Sequence, residues 1–493
     1  MTTEPQAPAP LAHADIVPIL FGLMLGMLLG AIDGTIVSTA LPTIGRALHD
    51  EINLPWVVTA YLLASIAVTP LYGKLSDIHG RRAIMVFAIV LFIVGSVACA
   101  LAPNLLALAL ARGVQGAGGG GLISLAQTII ADIVSPRERG RYQVYIASVF
   151  ATSSLAGPAL GGFFAEHLHW TAIFWINVPL GLLALFIVNR RLAGLPLPQR
   201  KHKLDILGSV LLVTATTALL LVLSWGGTRV PWTSPTILAL GALTLATGAG
   251  FGWRVVTAEE PLIPLSVLAN PIVKTATASA GLAMGALMGL SIFMPIYFET
   301  VRGLSASRSG LALIPLSIGT VIGSTIAGRL MVNLEHYKRP PLAGMALSFV
   351  MLLMLAWYSS SLPLPALEAM FIITSFGIGT MFPPSTVAIQ NAVARHDLGT
   401  ATAVSNFFRQ IGGALVVAVF GALVFSATGH GAPEASHSLA GVAPERLAGA
   451  FSLVFLAAAL CIGGAWAFFA AMPEKPLRGP DERAAAVADQ PGE

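Results

Sequence analysis

GKLSDIHGRR, residues 73 to 82, is a short charged turn set between two long apolar runs, residues 53–75 and 83–102. Gly73 and Gly80 permit a tight turn, and Asp77 sits beside Arg81 and Arg82, so it can form an ion pair or cap a helix at the edge of an apolar slab. In a soluble protein such a turn joins two core helices; in a bilayer it joins two spans and keeps its charges in water. Composition decides between them. The chain is 56% hydrophobic and 10% charged, with a mean hydropathy of +0.81, whereas soluble domains carry about 25% charged residues. A single soluble core is excluded, and the chain reads as an all-α integral membrane protein.

Working outward from the turn, apolar runs near the length of about 20 residues that crosses a bilayer recur from Ile16 to Met472. The spans read as 16–41, 53–75, 83–102, 105–131, 141–165, 170–189, 204–224, 234–257, 272–298, 306–331, 340–358, 362–389, 399–427 and 449–472, fourteen helices in all. Residues 1–15 lack a basic n-region, and the run after them is too long for a signal peptide, so it reads as a retained first span. Both cysteines, Cys99 and Cys461, fall in apolar runs and imply neither a disulfide nor a metal site.

The net charge of +4 does not imply nucleic acid, because the basic residues lie in short loops between spans. Of the 27 Lys and Arg, Arg46, Arg229, Arg302, Arg308 and Arg446 fall on one side, and Arg112 and Arg409 fall within spans. The rest, Arg200, Lys201, Arg478 and Arg483 included, share the side of both termini, which places those termini in the cytoplasm.

A weak internal repeat organises the chain. IADIVSPRERG, residues 130 to 140, lines up with IQNAVARHDLG, residues 389 to 399, so that Asp132 meets Asn391, Glu138 meets Asp397 and Gly140 meets Gly399. The turn at Gly73 has a degraded counterpart in GRLMVNLEHYKR, which starts at Gly328. Two six-helix bundles, 16–189 and 272–472, therefore flank a linker, 190–271, that carries two extra central helices; 473–493 is a second tail. Duplicated six-helix halves are the design of transporters that rock around a midplane site.

Charges inside the spans are few. A guanidinium in hydrocarbon costs roughly 2.5 to 3.5 kcal/mol on insertion scales, so Arg112 should face a polar cavity or a carboxylate. The glycines from Gly113 to Gly121 read as a close-packing helix face and not as a phosphate cradle, which needs a preceding strand. Asp33, inside MLLGAIDGTIVSTALP, residues 27 to 42, is the leading titratable group; Glu299 and Glu368 are further candidates in or near spans. No set of His, Cys, Asp and Glu has metal-ligand spacing, and no nucleophile is placed with a base, so neither a metal site nor an enzyme is expected.

The turn closely resembles the signature loop of the major facilitator superfamily through Gly73, Leu75, Asp77, Gly80, Arg81 and Arg82, and departs from it at Ile78. That resemblance implies the major facilitator fold and a conformational latch built from these residues, with Glu138 in the repeated loop grouped with them. Arg112, Gln115 and Gly116 match a pattern that the family links to proton transfer. Gly157, Pro158, Gly161 and Gly162 resemble the exporter motif of the fifth span, departing at Ser153. Asp33, Thr35, Ala40, Leu41 and Pro42 resemble the first-span signature of the fourteen-span drug:proton antiporter branch, although Ser38 replaces the usual asparagine. VSNFFRQIGGALV, residues 404 to 416, is similar to the same branch and puts Arg409 and Gln410 in the thirteenth span.

The resemblance implies a multi-pass, monomeric antiporter of the inner (cytoplasmic) membrane, contacting lipid, protons and a small amphipathic substrate. Its energy source would be the proton gradient, with no cofactor and no nucleic-acid partner. A carboxylate with little else charged favours cationic or neutral substrates. A transporter or flippase of the same fold acting on a lipid or an endogenous metabolite shares nearly every motif and stays open as the alternative.

Overall fold

The computed structural model describes residues 13–50, 53–194, 203–227, 229–426 and 444–477. The two tails, and with them Arg200, Lys201, Arg478 and Arg483, lie wholly or in part outside the described residues. Within those residues the chain is all helix without a strand; Gly226 and Val230 form an isolated bridge.

The long helices are α1 (His13–Leu48), α2 (Trp56–His79), α3 (Arg81–Ala100), α4 (Leu105–Ile133), α5 (Pro136–His167), α6 (Asn177–Arg191), α7 (Ile206–Trp225) and α8 (Pro235–Thr257). They continue as α9 (Pro271–Thr300), α10 (Ile314–Asn333), α11 (Arg339–Tyr358), α12 (Leu364–Gly379, resumed at Phe382–Ala392), α13 (Leu398–Ser426) and α14 (Pro444–Ala471). Among the described residues, 13 helices are long and apolar enough to cross a membrane. The remaining expected span is α4, which has the length, 29 residues, but not the apolarity, because Arg112, Gln115, Gln127, Asp132 and its glycine run dilute its aliphatic content.

Several ends follow from local chemistry. Asn104 caps α4 by accepting from the Ala107 amide at 2.9 Å, and Asn270 caps α9 through the Ile272 amide at 3.0 Å. Gly80, at φ 90°, makes the turn between α2 and α3 that a side chain would resist. The first helix runs on through Pro42 to Leu48, beyond its expected end. The sixth, tenth and twelfth spans are each broken in two, and the second pieces of the latter two begin where Pro315 and Pro383 take first-turn positions.

The repeat read from sequence is a repeat of packing. In the first half α1 packs on α5 and α6, α4 on α2 and α3, and α3 on α6; in the second half α9 packs on α13 and α14, α12 on α10 and α11, and α11 on α14. Glycines let α4 wedge between its neighbours: a Cβ on Gly118 would stand 2.7 Å from the Phe92 Cα, and one on Gly116 would stand 2.8 Å from the Tyr61 Cα.

The halves meet along two seams, α2 against α13 and α5 against α10. The extra helix α7 lies over the first seam, where Leu212 and Leu220 join Leu63 and Ile66 of α2 and Val404 and Phe407 of α13 in one apolar cluster. Trp225 at its end meets Trp56 edge to face at 5.5 Å. Helix α8 packs on α7 and exposes Leu238, Leu245, Trp253 and Val256.

Candidate functional site

Asp33 and Arg112 form a buried ion pair inside the first half, with side-chain exposures of 0% and 1% and a 2.5 Å separation between Oδ2 and Nη1. Four helices supply the surroundings. Gln115 Nε2 donates to Asp33 Oδ1 at 2.8 Å and Asn177 Nδ2 to the same oxygen at 3.3 Å. Arg112 Nη1 also donates to Gln115 Oε1 at 2.6 Å, and its Nε donates to the Val57 carbonyl at 2.9 Å. Ser96 accepts from Gln115 and Asn177 at 3.3 and 3.1 Å and donates to the Phe174 carbonyl at 2.9 Å.

The guanidinium carbon lies 4.3 Å from the Tyr61 ring centroid, a cation–π contact that offsets part of its desolvation. A buried ion pair is stable only when its remaining lone pairs and protons are also satisfied; here Asp33 Oδ1 accepts two bonds and Arg112 donates through Nε and Nη1, whereas Asn177 Oδ1 is buried without a partner among the described residues. The carboxylate faces a specific cation away from solvent, and adding one proton to Asp33 cancels that attraction. Gly34, the next residue, is exposed.

Thr35 links the node's helix to α5, donating to the Ser153 carbonyl at 3.0 Å. The small residues of α5 lie against this helix. A Cβ on Gly157 would stand 2.6 Å from the Thr35 Cβ, and one on Gly161 would stand 2.6 Å from the Ile36 carbonyl oxygen. Gly162 has no such neighbour, and Pro158 is exposed.

The charged turn meets the other half. Asp77, with 4% side-chain exposure, pairs with Arg81. Its carboxylate also caps the first turn of α13, accepting from the Gly399 amide at 3.2 Å, the Thr400 amide at 2.8 Å and the Thr400 hydroxyl at 2.7 Å. Unpaired amides and the helix dipole both favour an anion there. Arg81 Nε holds Asp132 at 2.7 Å, whereas Glu138 is exposed and accepts from the Ser135 hydroxyl at 2.7 Å at the start of its own helix. Arg82 donates to Asn189 Oδ1 at 2.8 Å within its own half.

Glycines close both seams at this basic end. A Cβ on Gly73 would stand 2.7 Å from the Gly399 carbonyl, and one on Gly140 would stand 2.5 Å from the Gly328 carbonyl. These are the four glycines that the sequence repeat aligns, Gly73 with Gly328 and Gly140 with Gly399, so each seam joins one member of each aligned pair. Arg137 Nε adds a bond to the Val332 carbonyl across the second seam at 3.1 Å.

The remaining candidates lie apart from Asp33 in the second half. Glu299 is exposed at the last turn of α9, Glu368 is half-buried near the start of α12, and neither joins the Asp33 network. Arg409 and Gln410 are half-buried in α13. Arg409 donates to Asn406, which reaches across the seam to Gln127 Oε1 at 2.8 Å. Sequence reasoning passed over Asn177, Ser96 and Tyr61 in the node and Asp132 in the latch. Asn177 stands in FWINVPLG as a polar residue in an apolar helix, the signal that was available.

The Major Facilitator Superfamily model matches residues 23–417. Multidrug resistance protein 3 of Bacillus subtilis is 33% identical over 403 residues, covering 82% of this chain and 78% of that protein. An uncharacterized MFS-type transporter of Mycobacterium tuberculosis is 36% identical over 389 residues, 78% of this chain; the chain spans 56% of that relative's length. Among solved structures, the proton:xylose symporter XylE overlays with a TM-score of 0.61 at 16% identity, covering 96% of this chain and 99% of that one. FucP in its outward conformation overlays at 0.62 and 14% identity, covering 94% and 100%. Two six-helix halves meeting at glycine seams, together with a family match over most of the length, place this chain in the Major Facilitator Superfamily.

Proposed function

We propose that the chain is a proton-coupled secondary active exporter of amphipathic small molecules, an antiporter working by alternating access in the cytoplasmic membrane with both termini inside. The carrying observation is the buried Asp33–Arg112 pair. Protonating Asp33 from the outer side frees Arg112 to rest on Gln115 and the Val57 carbonyl, and it loosens α1 against α4. The glycine face of α5 passes that shift along, because Gly157 and Gly161 lie against α1 while Gly140 of the same helix lies in the seam with Gly328. Breaking the Asp77 cap on α13 then opens the basic end, and release of the proton there resets the pair. The relatives named for multidrug resistance support an amphipathic cargo. The proton gradient is the energy source, and no cofactor is needed.

The test is reconstitution. With an imposed proton gradient, wild-type proteoliposomes should expel a fluorescent amphiphile faster than empty vesicles. Asp33→Asn should lose the gradient dependence while still exchanging the probe down its own gradient. A well-folded Asp33→Asn protein that still responds to the gradient refutes the coupling.

A further inference from the structure

The charge of the substrate can be read from which charges the protein leaves uncompensated between its halves. Asp33, the carboxylate that favoured a cationic substrate, is already neutralised by Arg112 at 2.5 Å and enclosed within the first half. Arg409 is the opposite case. It stands 11 residues from Leu398 along α13, about 16 Å of helix rise, and hence well inside the span. It is half-buried, and no carboxylate pairs with it among the described residues.

Its protein partners are few. Nη2 donates to Asn406 Oδ1, and the guanidinium carbon lies 5.9 Å from the Phe382 ring centroid. Nε is buried without an acceptor, and Nη1 makes no protein hydrogen bond among the described residues. Asn406, three residues earlier and so on the same helix face, donates to Gln127 of the first half. That places Arg409 on the side of α13 that fronts the other half. The neighbouring polar groups are neutral: Gln127, Thr402, Ser405 and Asn406 line one cleft, and the only bond that Asn406 makes to Arg409 leaves most of the guanidinium fork open.

A planar fork with free donors, an aromatic ring on one side and no counter-ion suits a carboxylate or sulfonate carried on an apolar body. We propose that Arg409, positioned by Asn406 and Gln127, is the anion-recognising subsite of the substrate path, and that the preferred cargo is an amphipathic organic anion. This deepens the exporter reading above and rests on it.

The test uses three probes with one aromatic body: 1-pyrenebutyrate (anionic), 1-pyrenemethanol (neutral) and 1-pyrenemethylammonium (cationic). Binding to the purified full chain is followed by fluorescence anisotropy. Wild type should bind the anion at least ten-fold more tightly than the cation. Arg409→Gln should erase that difference while changing the neutral probe less than two-fold, and Arg409→Lys should restore part of it. Equal binding of all three probes by wild type, or an anion preference that survives in a monodisperse Arg409→Gln protein, overturns the subsite and leaves the exporter reading standing. Failure of wild type to bind any of the three removes the exporter reading and the subsite with it. Displacement of pyrenebutyrate by phosphatidylglycerol at equal concentration, absent in Arg409→Gln, makes the occupant a lipid and overturns the assignment to a small organic anion.

Discussion

Asp33 Oδ2 lies 2.5 Å from Arg112 Nη1 in a node that water does not reach. Removing one member of such a pair leaves the other charge buried and alone, at a cost of about 3–5 kcal/mol, whereas removing both costs much less. Asp33→Asn should therefore lower thermal stability in detergent as well as uncouple transport, and so should Arg112→Gln. The double variant Asp33→Asn/Arg112→Gln should recover most of the lost stability without recovering proton-driven export. A thermal-melting cycle on the four proteins measures the coupling directly. Additive losses in the double variant contradict an ion pair at this distance.

The latch predicts a conformational effect. Asp77 gives the amides and hydroxyl at the start of α13 a charged acceptor, and hydrogen bonds to charged groups contribute about 1.5–3 kcal/mol each. Replacing Asp77 by Ala should shift the population from closed to open at the basic end by roughly ten-fold or more. Spin labels at the exposed positions His79 and Arg395, read by pulsed dipolar spectroscopy, should report a longer mean distance than in the parent. An unchanged distance distribution argues that glycine packing alone holds the seam.

That packing has its own signature. Gly140 and Gly328 leave no room for a Cβ between α5 and α10, since the added carbon would sit 2.5 Å from a backbone oxygen that has no rotamer to retreat into. Gly140→Ala should raise the open population at the basic end as Asp77→Ala does, by overpacking worth about 1–3 kcal/mol. Solvent accessibility of a cysteine at Arg137, whose side chain bonds across the same seam, should rise in step. A Gly140→Ala protein with unaltered accessibility at that position counts against closure by direct backbone contact.

Much of this was legible in the sequence because membranes make departures from apolarity expensive. Asp33 and Arg112 stood out as charges inside spans, and the structure supplies each as the other's partner. The seam glycines were legible in pairs because the repeat kept them in register while the charges around them drifted, as Asp77 against Val332 shows. A neutral amide carries a weaker signal: Asn177 stands polar in an apolar helix, but only the fold shows that a carboxylate on α1 uses it. Asp132 lies in the last turn of α4 and Glu138 in the first turn of α5, and only the packing of α4 against α3 sets Asp132, not Glu138, against Arg81. The sequence-based leaning towards a cationic substrate treats Asp33 as a free carboxylate, and its Arg112 counter-ion from a distant helix removes that support. Breaks inside spans were not legible, because a proline restarts the helix within one apolar run, as at Pro383.

The motif glycines of α5 are not equivalent, and the difference is testable at the adjacent positions Gly161 and Gly162. Gly157 and Gly161 lie against α1, where an added Cβ would reach Thr35 and the Ile36 carbonyl, while Gly162 faces open space. Gly162→Ala should leave both stability and transport close to the parent, because the new methyl meets nothing within the protein. Gly161→Ala must push α1 outward against a backbone oxygen, so it should cost about 1–3 kcal/mol and strain the helix that carries Asp33. If α1 carries the proton-linked shift to α5, transport in Gly161→Ala should fall by more than its melting temperature explains, with the loss in turnover exceeding that in probe affinity. Matched melting curves and initial efflux rates for the two alanine variants decide the matter: equal losses in Gly161→Ala and Gly162→Ala make the motif general helix-softening, and unequal losses make it a contact face between α1 and α5.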